Sequence, residues 1–184
     1  MSQPPQLIQA VHFTRATRTA VDLLVLHSME SQEKPGTARN VARWFADPKR
    51  APEASAHYCV DADETFQCVL DRDIAWHAPG VNSRAIGIEH AGRAAQSADE
   101  WADEYSMATL ARSIELAADV CRRWSIPARF VDTEGLKRGD RGITTHAAVS
   151  AAFRKSTHTD PGPGFPLAWY VARVAARLIG GPHA

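Results

Sequence analysis

The residues in this sequence best suited to catalysis are histidines and an aspartate at the ends of regular segments. His27 follows the apolar run Val21–Leu26, His146 opens a helical pattern, and Asp160 lies in a loop rich in proline and glycine. Two nitrogen ligands and one oxygen ligand from separate segments, with a fourth position left for water, suit a catalytic zinc site. For any single histidine an ordinary hydrogen bond is the simpler interpretation, and no compact metal motif such as H-E-x-x-H is present.

The surrounding pattern predicts the elements that would place these residues. Val21–Leu26 is largely apolar, which is the pattern of a buried central strand, and Ala85–His90 predicts another short strand. His57–Val60 and Thr65–Leu70 flank a polar turn and predict a hairpin. Helical spacing covers residues 37–46, 101–124, 146–153 and 167–180, and a Gly-rich connection spans 135–142. We therefore expect a single α/β domain with a central mixed sheet flanked by helices.

Composition and charge are those of one globular domain. Apolar residues make up 45% and charged residues 23% of the 184 positions. Lys plus Arg equals Asp plus Glu at 21 each, so we expect neither a nucleic acid nor a membrane as partner. We expect one domain over residues 1–184 with its core at about 20–180, poor order over 1–10, and a monomer.

Two further features concern cellular setting. Residues 1–10 show no secretory signal, so we expect synthesis in the cytoplasm without a signal peptide. Cys59 and Cys68 lie on the two predicted hairpin strands and would face each other if Asp63 and Glu64 form the turn. A disulfide and a pair of buried reduced thiols are both compatible with this placement, and the thiols are the simpler interpretation.

Several short runs occur in the order found in one enzyme family. They are Leu24–Ser28, Ser55–Tyr58, Ala75–Ala78, Asn82, Ile86–Glu89, Thr145–His146 and Thr159–Pro163. Each run is weak alone, but together they are in register over nearly the whole domain. The chain resembles the zinc-dependent N-acetylmuramoyl-L-alanine amidases of the type-2 amidase and peptidoglycan-recognition-protein superfamily.

The resemblance implies a zinc ion at the end of the central strand, in a surface groove, with His27, His146 and Asp160 as ligands. Glu89 falls on the glutamate that activates the attacking water in similar enzymes. A carboxylate placed there can take a proton from water and return it to the departing amine. The implied reaction is hydrolysis of the amide between N-acetylmuramic acid and L-alanine of the peptidoglycan stem peptide.

One position departs from the family pattern. Two residues before the aspartate ligand, similar amidases often carry a lysine that stabilises the oxyanion, whereas this chain has His158. An imidazole can serve the same purpose, and the exchange would make activity more dependent on pH. Lys155 is an alternative that is out of register, and His158 could instead orient a ligand.

Substrate contacts are also implied by the resemblance. Trp76 and His77 match a segment that similar proteins place in the groove wall, where an aromatic face stacks on sugar or peptide. Trp76 suits the core equally well. Asn82 is expected to contact the muropeptide or to shape a turn, and His57 is a further candidate for substrate binding.

Two other functions fit the same pattern. A relative that loses a metal ligand becomes a peptidoglycan-binding module, but here all three ligand positions are filled. A metallohydrolase acting on another amide is the second alternative. For the amidase, the expected settings are a phage lysin released through a holin, an enzyme that recycles cytoplasmic muropeptides, or a bacterial lysin exported by another route. The lysin is the setting we favour.

Overall fold

The computed structural model describes residues 5–180, in which short strands alternate with helices. Residues 1–4 and 181–184 lie outside the described part. The strands are β1 (Gln6–Leu7), β2 (Phe13–Thr14), β3 (Leu23–Ser28), β4 (Tyr58–Val60), β5 (Thr65–Gln67), β6 (Ile74–Ala75), β7 (Ala85–His90) and β8 (Gly142–Thr145). The α-helices are α1 (Thr37–Phe45), α2 (Glu104–Trp124), α3 (Thr133–Arg138), α4 (His146–Phe153) and α5 (Leu167–Ile179).

A central six-stranded sheet carries the fold, with the strand order β1-β5-β4-β7-β3-β8. β3 pairs in parallel with both β7 and β8, and β4 is parallel to β7. The predicted hairpin is the antiparallel pair β4–β5, and β1 adds in parallel to β5. A second, smaller sheet joins β2 to β6. The predicted mixed sheet flanked by helices is confirmed.

β3 occupies the inside of the sheet because its side chains are covered on both faces. All six of its residues are buried. Leu24 and Leu26 pack in a core with side chains of α2 and α5, whereas Leu23 and Val25 pack on the opposite face with side chains of α3 and α4. A strand buried on both faces has a continuous apolar sequence, which is why its pattern is visible in the sequence.

α2 covers one face of the sheet with an apolar stripe. Its predicted inward side chains are buried, namely Leu110, Ile114, Ala117, Ala118 and Cys121. The helix begins at Glu104 and not at the predicted Trp101, because Asp103 is extended and its side chain accepts a hydrogen bond from the Ser106 N–H. An aspartate at this position satisfies an N–H group that has no partner within the helix.

The predicted connection over residues 135–142 contains more regular structure than expected. Asp132 caps α3 by accepting a hydrogen bond from the Gly135 N–H at 2.8 Å, and Gly139 ends the helix with φ of +85°. β8 follows and pairs with β3. α3 has six residues and β8 has four, lengths at which a periodic pattern cannot be distinguished from a loop.

Gln6–Leu7, in the N-terminal part of the described residues, also joins the fold. Residues 1–4, part of the segment for which we predicted poor order, lie outside the described residues. Gln6–Leu7 instead pairs with Phe66 and Gln67 of β5. Among the helices of residues 5–180, none has both the length and the apolar character that a membrane span requires.

Cys59 and Cys68 are buried free thiols with their sulfur atoms 3.8 Å apart. Cys59 lies directly opposite Phe66 in the hairpin, whereas the Cys68 N–H donates to the carbonyl of His57. The two thiols therefore approach each other diagonally across the β4–β5 pair. Of the two arrangements compatible with the sequence, the structure has the buried thiol pair.

A buried carboxylate joins the hairpin turn to α1. Asp61 is fully buried, and its Oδ1 accepts hydrogen bonds from the N–H groups of Asp63 at 2.9 Å and Glu64 at 2.7 Å. Its Oδ2 accepts from the Ala38 N–H in the first turn of α1 at 2.8 Å. Because the N-cap of this helix, Gly36, has no side chain, Asp61 caps the helix from another segment.

Replacing Asp61 with Ala should destabilise the fold. The buried Ala38 N–H would lose its acceptor, as would the partly buried N–H groups of Asp63 and Glu64, and leaving a buried group unsatisfied costs roughly 1–3 kcal/mol. Urea unfolding of the wild type and of Asp61→Ala would measure the loss. Asp63→Ala, which changes an exposed side chain of the same turn, is the control and should unfold close to the wild type. Equal stability of Asp61→Ala and the wild type would contradict this role of the carboxylate.

Candidate metal centre

Parallel strand pairing brings the two predicted histidine ligands to the same edge of the sheet. In the β3–β8 ladder Leu26 lies opposite Thr145. His27 and His146 are the next residues on these two segments, so both lie at the carboxyl ends of adjacent parallel strands. Thr145 also caps α4 by accepting a hydrogen bond from the Ala148 N–H, which fixes the first turn that carries His146.

The third predicted ligand reaches the same point from a loop. The Ala147 N–H donates to the carbonyl of Asp160 at 3.0 Å. Gly162 has φ of +89°, and a Cβ atom there would lie 1.8 Å from the carbonyl oxygen of Ala94. Only glycine combines this conformation with this close backbone approach, so the glycine lets the loop pack beside the segment that follows β7.

The three side chains form one buried cluster that could hold a metal ion. His27 Nδ1 lies 3.0 Å from Asp160 Oδ2, and His146 Nδ1 lies 3.1 Å from Asp160 Oδ1. One ligand atom from each residue lies within 4.8 Å of the others. Ligand atoms about 2.0–2.1 Å from a tetrahedral ion are themselves separated by about 3.4 Å, a spacing close to the shorter distances seen here.

The charge states of the cluster suit a cation. Burial lowers the pKa of His27, although the nearby Asp160 carboxylate opposes this shift. Burial alone would raise the pKa of Asp160, but the nearby imidazoles of His146 and His27 lower it well below its ordinary range. Asp160 Oδ1 is enclosed and has no hydrogen bond of good geometry from the described residues. A neutral imidazole and an ionised carboxylate are the forms that bind metals.

The nitrogens of the two histidines that face away from the cluster also have partners. His27 Nε2 lies 3.0 Å from His77 Nδ1, and His146 Nε2 lies 3.3 Å from Ser156 Oγ. Ser156 Oγ in turn lies 2.6 Å from Ser150 Oγ. Metal-binding histidines ordinarily have their second ring nitrogen hydrogen-bonded in this way. Ser156 carries no signal in the sequence, since only the fold brings its loop to His146.

Glu89 lies beside this cluster because β3 and β7 are in register at His27 and Glu89. Residues opposite each other in neighbouring strands project to the same face of the sheet. Glu89 Oε2 is enclosed and has no hydrogen-bond partner within residues 5–180. Burial raises the pKa of Glu89 well above its ordinary value, and the negative charges of Asp160 and Glu30 add to this shift. A carboxyl group whose pKa is raised in this way is a stronger base than an exposed glutamate.

His158 lies at the exposed rim of the cluster. Its ring stacks on that of His146 with centroids 4.3 Å apart and planes 13° apart. Its Nδ1 lies 3.4 Å from Asp160 Oδ1, and 63% of its side chain is exposed. Lys155, the alternative considered for this role, is exposed and does not line the cavity beside the cluster.

A cavity of about 270 Å³ opens next to the cluster. It is lined by Glu30, Ala94, Thr157, His158, Thr159 and Asp160. Glu30 was not predicted from the sequence. It has φ of +52°, and its Oε1 accepts hydrogen bonds from Ser28 Oγ at 2.7 Å and the Ala94 N–H at 2.8 Å. A non-glycine residue in this left-handed conformation has no reliable sequence signal.

The predicted substrate-binding histidines lie inside the protein. His57 is fully buried, with its Nδ1 accepting from the Gly87 N–H and its Nε2 beside Arg18 and the Asp73 carbonyl. Burial and the Arg18 charge lower the pKa of His57 to about 3. His77 is 7% exposed and lies behind His27, and burial lowers its pKa well below the ordinary value. The structure therefore places neither residue on the cavity wall: His77 contacts His27, and the His57 ring packs against His77.

Trp76 and Asn82 also have structural partners. The Trp76 indole N–H donates to Thr14 Oγ1 at 3.0 Å and so holds the N-terminal segment. Asn82 Oδ1 accepts from the N–H groups of His77 at 3.2 Å and Ala78 at 2.7 Å. Neither side chain lines the cavity beside the cluster. For Asn82 the structure shows the turn-shaping contact, which was one of the two alternatives.

Solved structures share this architecture. The Staphylococcus aureus hydrolase AmiA superposes with a TM-score of 0.72 at 15% identity, covering 98% of this chain and 87% of AmiA. A structure of AmpD gives a TM-score of 0.65 at 19% identity, covering 92% of this chain and 93% of AmpD. The amidase LysC from Clostridium intestinale gives 0.60 at 18% identity, covering 93% and 98%. At these identities the likeness concerns the fold.

Sequence similarity establishes the family. Residues 17–163 match the family described as N-acetylmuramoyl-L-alanine amidase. N-acetylmuramoyl-L-alanine amidase A from Achromobacter lyticus is 30% identical over 157 residues, which cover 80% of this chain and 79% of that protein. The resemblance carried by the short sequence runs is confirmed. The chain belongs to the N-acetylmuramoyl-L-alanine amidase family.

Proposed function

We propose that this chain is a zinc-dependent hydrolase that cleaves the amide bond between N-acetylmuramic acid and L-alanine of the peptidoglycan stem peptide. Family membership supports the choice of bond. The observation that carries the proposal is the convergence of His27, His146 and Asp160 beside Glu89. A module that only binds peptidoglycan requires neither a complete ligand set nor a carboxylate with a raised pKa next to it.

Zinc fits the donor set. Two imidazole nitrogens and one carboxylate oxygen, with an open side towards a cavity, form a typical ligand set for catalytic zinc. The buried and unsatisfied Asp160 Oδ1 and the partnered outer nitrogens of both histidines support this assignment. When bound, zinc would polarise the amide carbonyl and make a water molecule more acidic.

Glu89 is the proposed proton carrier. Its carboxylate, held in register with His27, would take a proton from the attacking water and later deliver it to the departing amine of L-alanine. Both transfers need a pKa closer to neutrality than that of an exposed glutamate, and the burial of Glu89 shifts its pKa in this direction. The products are the glycan and a stem peptide with a free amino terminus.

His158 is proposed to stabilise the negative charge that develops on the carbonyl oxygen. Its ring is exposed towards the cavity that Asp160 also lines, and stacking on His146 fixes its orientation. An N–H group held in place beforehand stabilises an oxyanion without reorganising during the reaction. This role matches the place that lysine takes in similar amidases.

The proposed setting is lysis of the cell wall, with peptidoglycan as the substrate. The other setting is turnover of cytoplasmic muropeptides. The cavity beside Asp160 is open to the surface and is bordered by exposed Glu30 and His158, as access to an extended substrate requires. Comparing release rates on intact sacculi and on soluble muropeptides separates the two settings. Activity on soluble fragments alone would contradict the lysin proposal.

Incubation with purified peptidoglycan tests the reaction. Mass spectrometry should find stem peptides with a newly free L-alanine amine, because cleavage of this amide leaves that terminus. A zinc chelator should abolish the release, and added zinc should restore it. Zinc-loaded protein that releases no peptide would contradict the amidase proposal and favour a binding module. Release that is insensitive to the chelator would contradict the role of zinc.

Glu89→Gln tests the proton carrier. The amide is close in size to the carboxylate but cannot accept the proton, so we expect turnover to fall at least roughly 100-fold. Zinc content, measured by atomic absorption, should stay at the wild-type level because Glu89 is not a ligand. Glu134→Gln, on the exposed surface of α3, is the control and should keep full activity. Full activity of Glu89→Gln would remove Glu89 from the mechanism.

His158→Ala tests the oxyanion contact. Removing one such donor lowers kcat by about 100- to 1,000-fold in other enzymes, and we expect a loss in kcat with a smaller change in KM. His158→Lys introduces the residue found in similar amidases and should recover most of the lost rate. Steady-state kinetics on a muropeptide would measure both variants. Unchanged kcat in His158→Ala would contradict the proposed contact.

A further inference from the structure

We propose that His77 is a positioning residue that fixes the His27 ring with Nδ1 directed at the metal. The inference rests on the metal site proposed above and assigns a role to a histidine that lines no part of the cavity. It replaces the substrate contact expected from the sequence. Its basis is the contact of 3.0 Å between His27 Nε2 and His77 Nδ1, in which both side chains are buried.

The positions of the ring hydrogens on His27 and His77 follow from the geometry of the candidate metal site. His27 Nδ1 faces Asp160, so this nitrogen must be unprotonated when it binds a metal. A neutral imidazole then carries its single hydrogen on Nε2. His27 Nε2 therefore donates and His77 Nδ1 accepts, so the hydrogen of His77 lies on its own Nε2, a buried atom without a hydrogen-bond partner among residues 5–180. His77 must act as an acceptor in the metal-loaded protein.

The surrounding structure holds His77 in the position that this contact requires. Asn82 Oδ1 accepts hydrogen bonds from the backbone N–H groups of both His77 and Ala78. The His77 ring lies over Gly87 in β7, where a Cβ atom would be 2.7 Å from its Nδ1 and 2.8 Å from its Cγ. The absence of a side chain at Gly87 therefore creates the space for the ring. This explains why the strand that carries Glu89 has a glycine two residues earlier.

Loss of the acceptor would have two effects on His27. Its Nε2–H would be buried without a partner, and the ring would be free to turn Nδ1 away from Asp160. Removing the hydrogen-bond partner of a ligating histidine lowers metal affinity by about 10- to 100-fold in metalloproteins. If the His77 ring only filled space, replacing it with a side chain of similar bulk would leave metal affinity unchanged. Metal affinity therefore distinguishes a positioning role from a packing role.

The experiment measures zinc affinity by competition with a chromophoric chelator, which does not depend on catalysis. His77→Leu keeps an apolar body but has no acceptor, and we expect a loss of about 10- to 100-fold in zinc affinity. His77→Asn places an amide oxygen near the position of Nδ1, and we expect its zinc affinity to stay within about threefold of the wild type. If both variants lose affinity equally, or if neither does, the inference is wrong.

Two further variants separate positioning from general destabilisation. Gly87→Ala keeps His77 but pushes the His77 ring away, so the zinc affinity of this variant should fall as in His77→Leu. Unchanged zinc affinity in Gly87→Ala would overturn the inference even if His77→Leu does not fold. Val174→Ala weakens the core on the opposite face of the sheet and should lower the urea midpoint but not zinc affinity. A comparable affinity loss in Val174→Ala would attribute the effect to stability alone.

A spectroscopic measurement tests the hydrogen positions directly. In the zinc-loaded wild type, ¹⁵N NMR should find the His77 hydrogen on Nε2, and a hydrogen on Nδ1 would overturn the inference. The measurement of zinc affinity for the wild type also separates this inference from the proposed function. Absence of zinc binding by the wild type would contradict both, whereas equal zinc affinity in the wild type and His77→Leu would contradict only the role of His77.

Discussion

The parallel pairing of β3 with its two neighbours is the constraint on which the site depends. The β7 ladder places Glu89 opposite His27, and the β8 ladder, which pairs Leu26 with Thr145, brings His146 to the same edge. If β3 were shifted by one residue relative to its neighbours, the His27 side chain would point into the core between the sheet and α2. A slip of two residues would move it by about 6.6 Å along the strand, beyond the reach of Asp160.

Burial shifts the pKa values of the histidines and of Glu89 in opposite directions, and both shifts favour the proposed chemistry. It lowers the pKa of His27, His57 and His77, which keeps these rings neutral. It raises the pKa of Glu89, which makes this carboxylate a stronger base. Both shifts arise because a charged group loses hydration in the protein interior. Asp160 is the exception, because the effect of the two neighbouring histidines on its pKa outweighs that of its burial.

The ligand residues could be predicted from the sequence, whereas their supports could not. His27 and Glu89 end apolar runs, and such runs identify strands whose ends meet at one edge of a sheet. His146 and Asp160 also stand at the edges of predicted segments, the family resemblance implied the ligand set and added Glu89, and the structure brings the three candidate ligands together. The place of His77 behind His27 depends on a contact across 50 residues of chain, which no local pattern encodes. Short elements such as α3 and β8 were missed because tertiary pairing stabilises them more than local propensity does.

The cluster joins distant parts of the chain, since His27 and Asp160 are separated by 133 positions. In the unfolded chain, closing a loop of this length costs conformational entropy, so the three candidate ligands are held together by the folded sheet. Any cation that binds them binds the folded state alone and stabilises it by mass action. With a cation bound at this cluster as proposed, the resistance of this protein to unfolding would depend on the metal supply around it, and a substitution that weakens the sheet would also weaken metal binding.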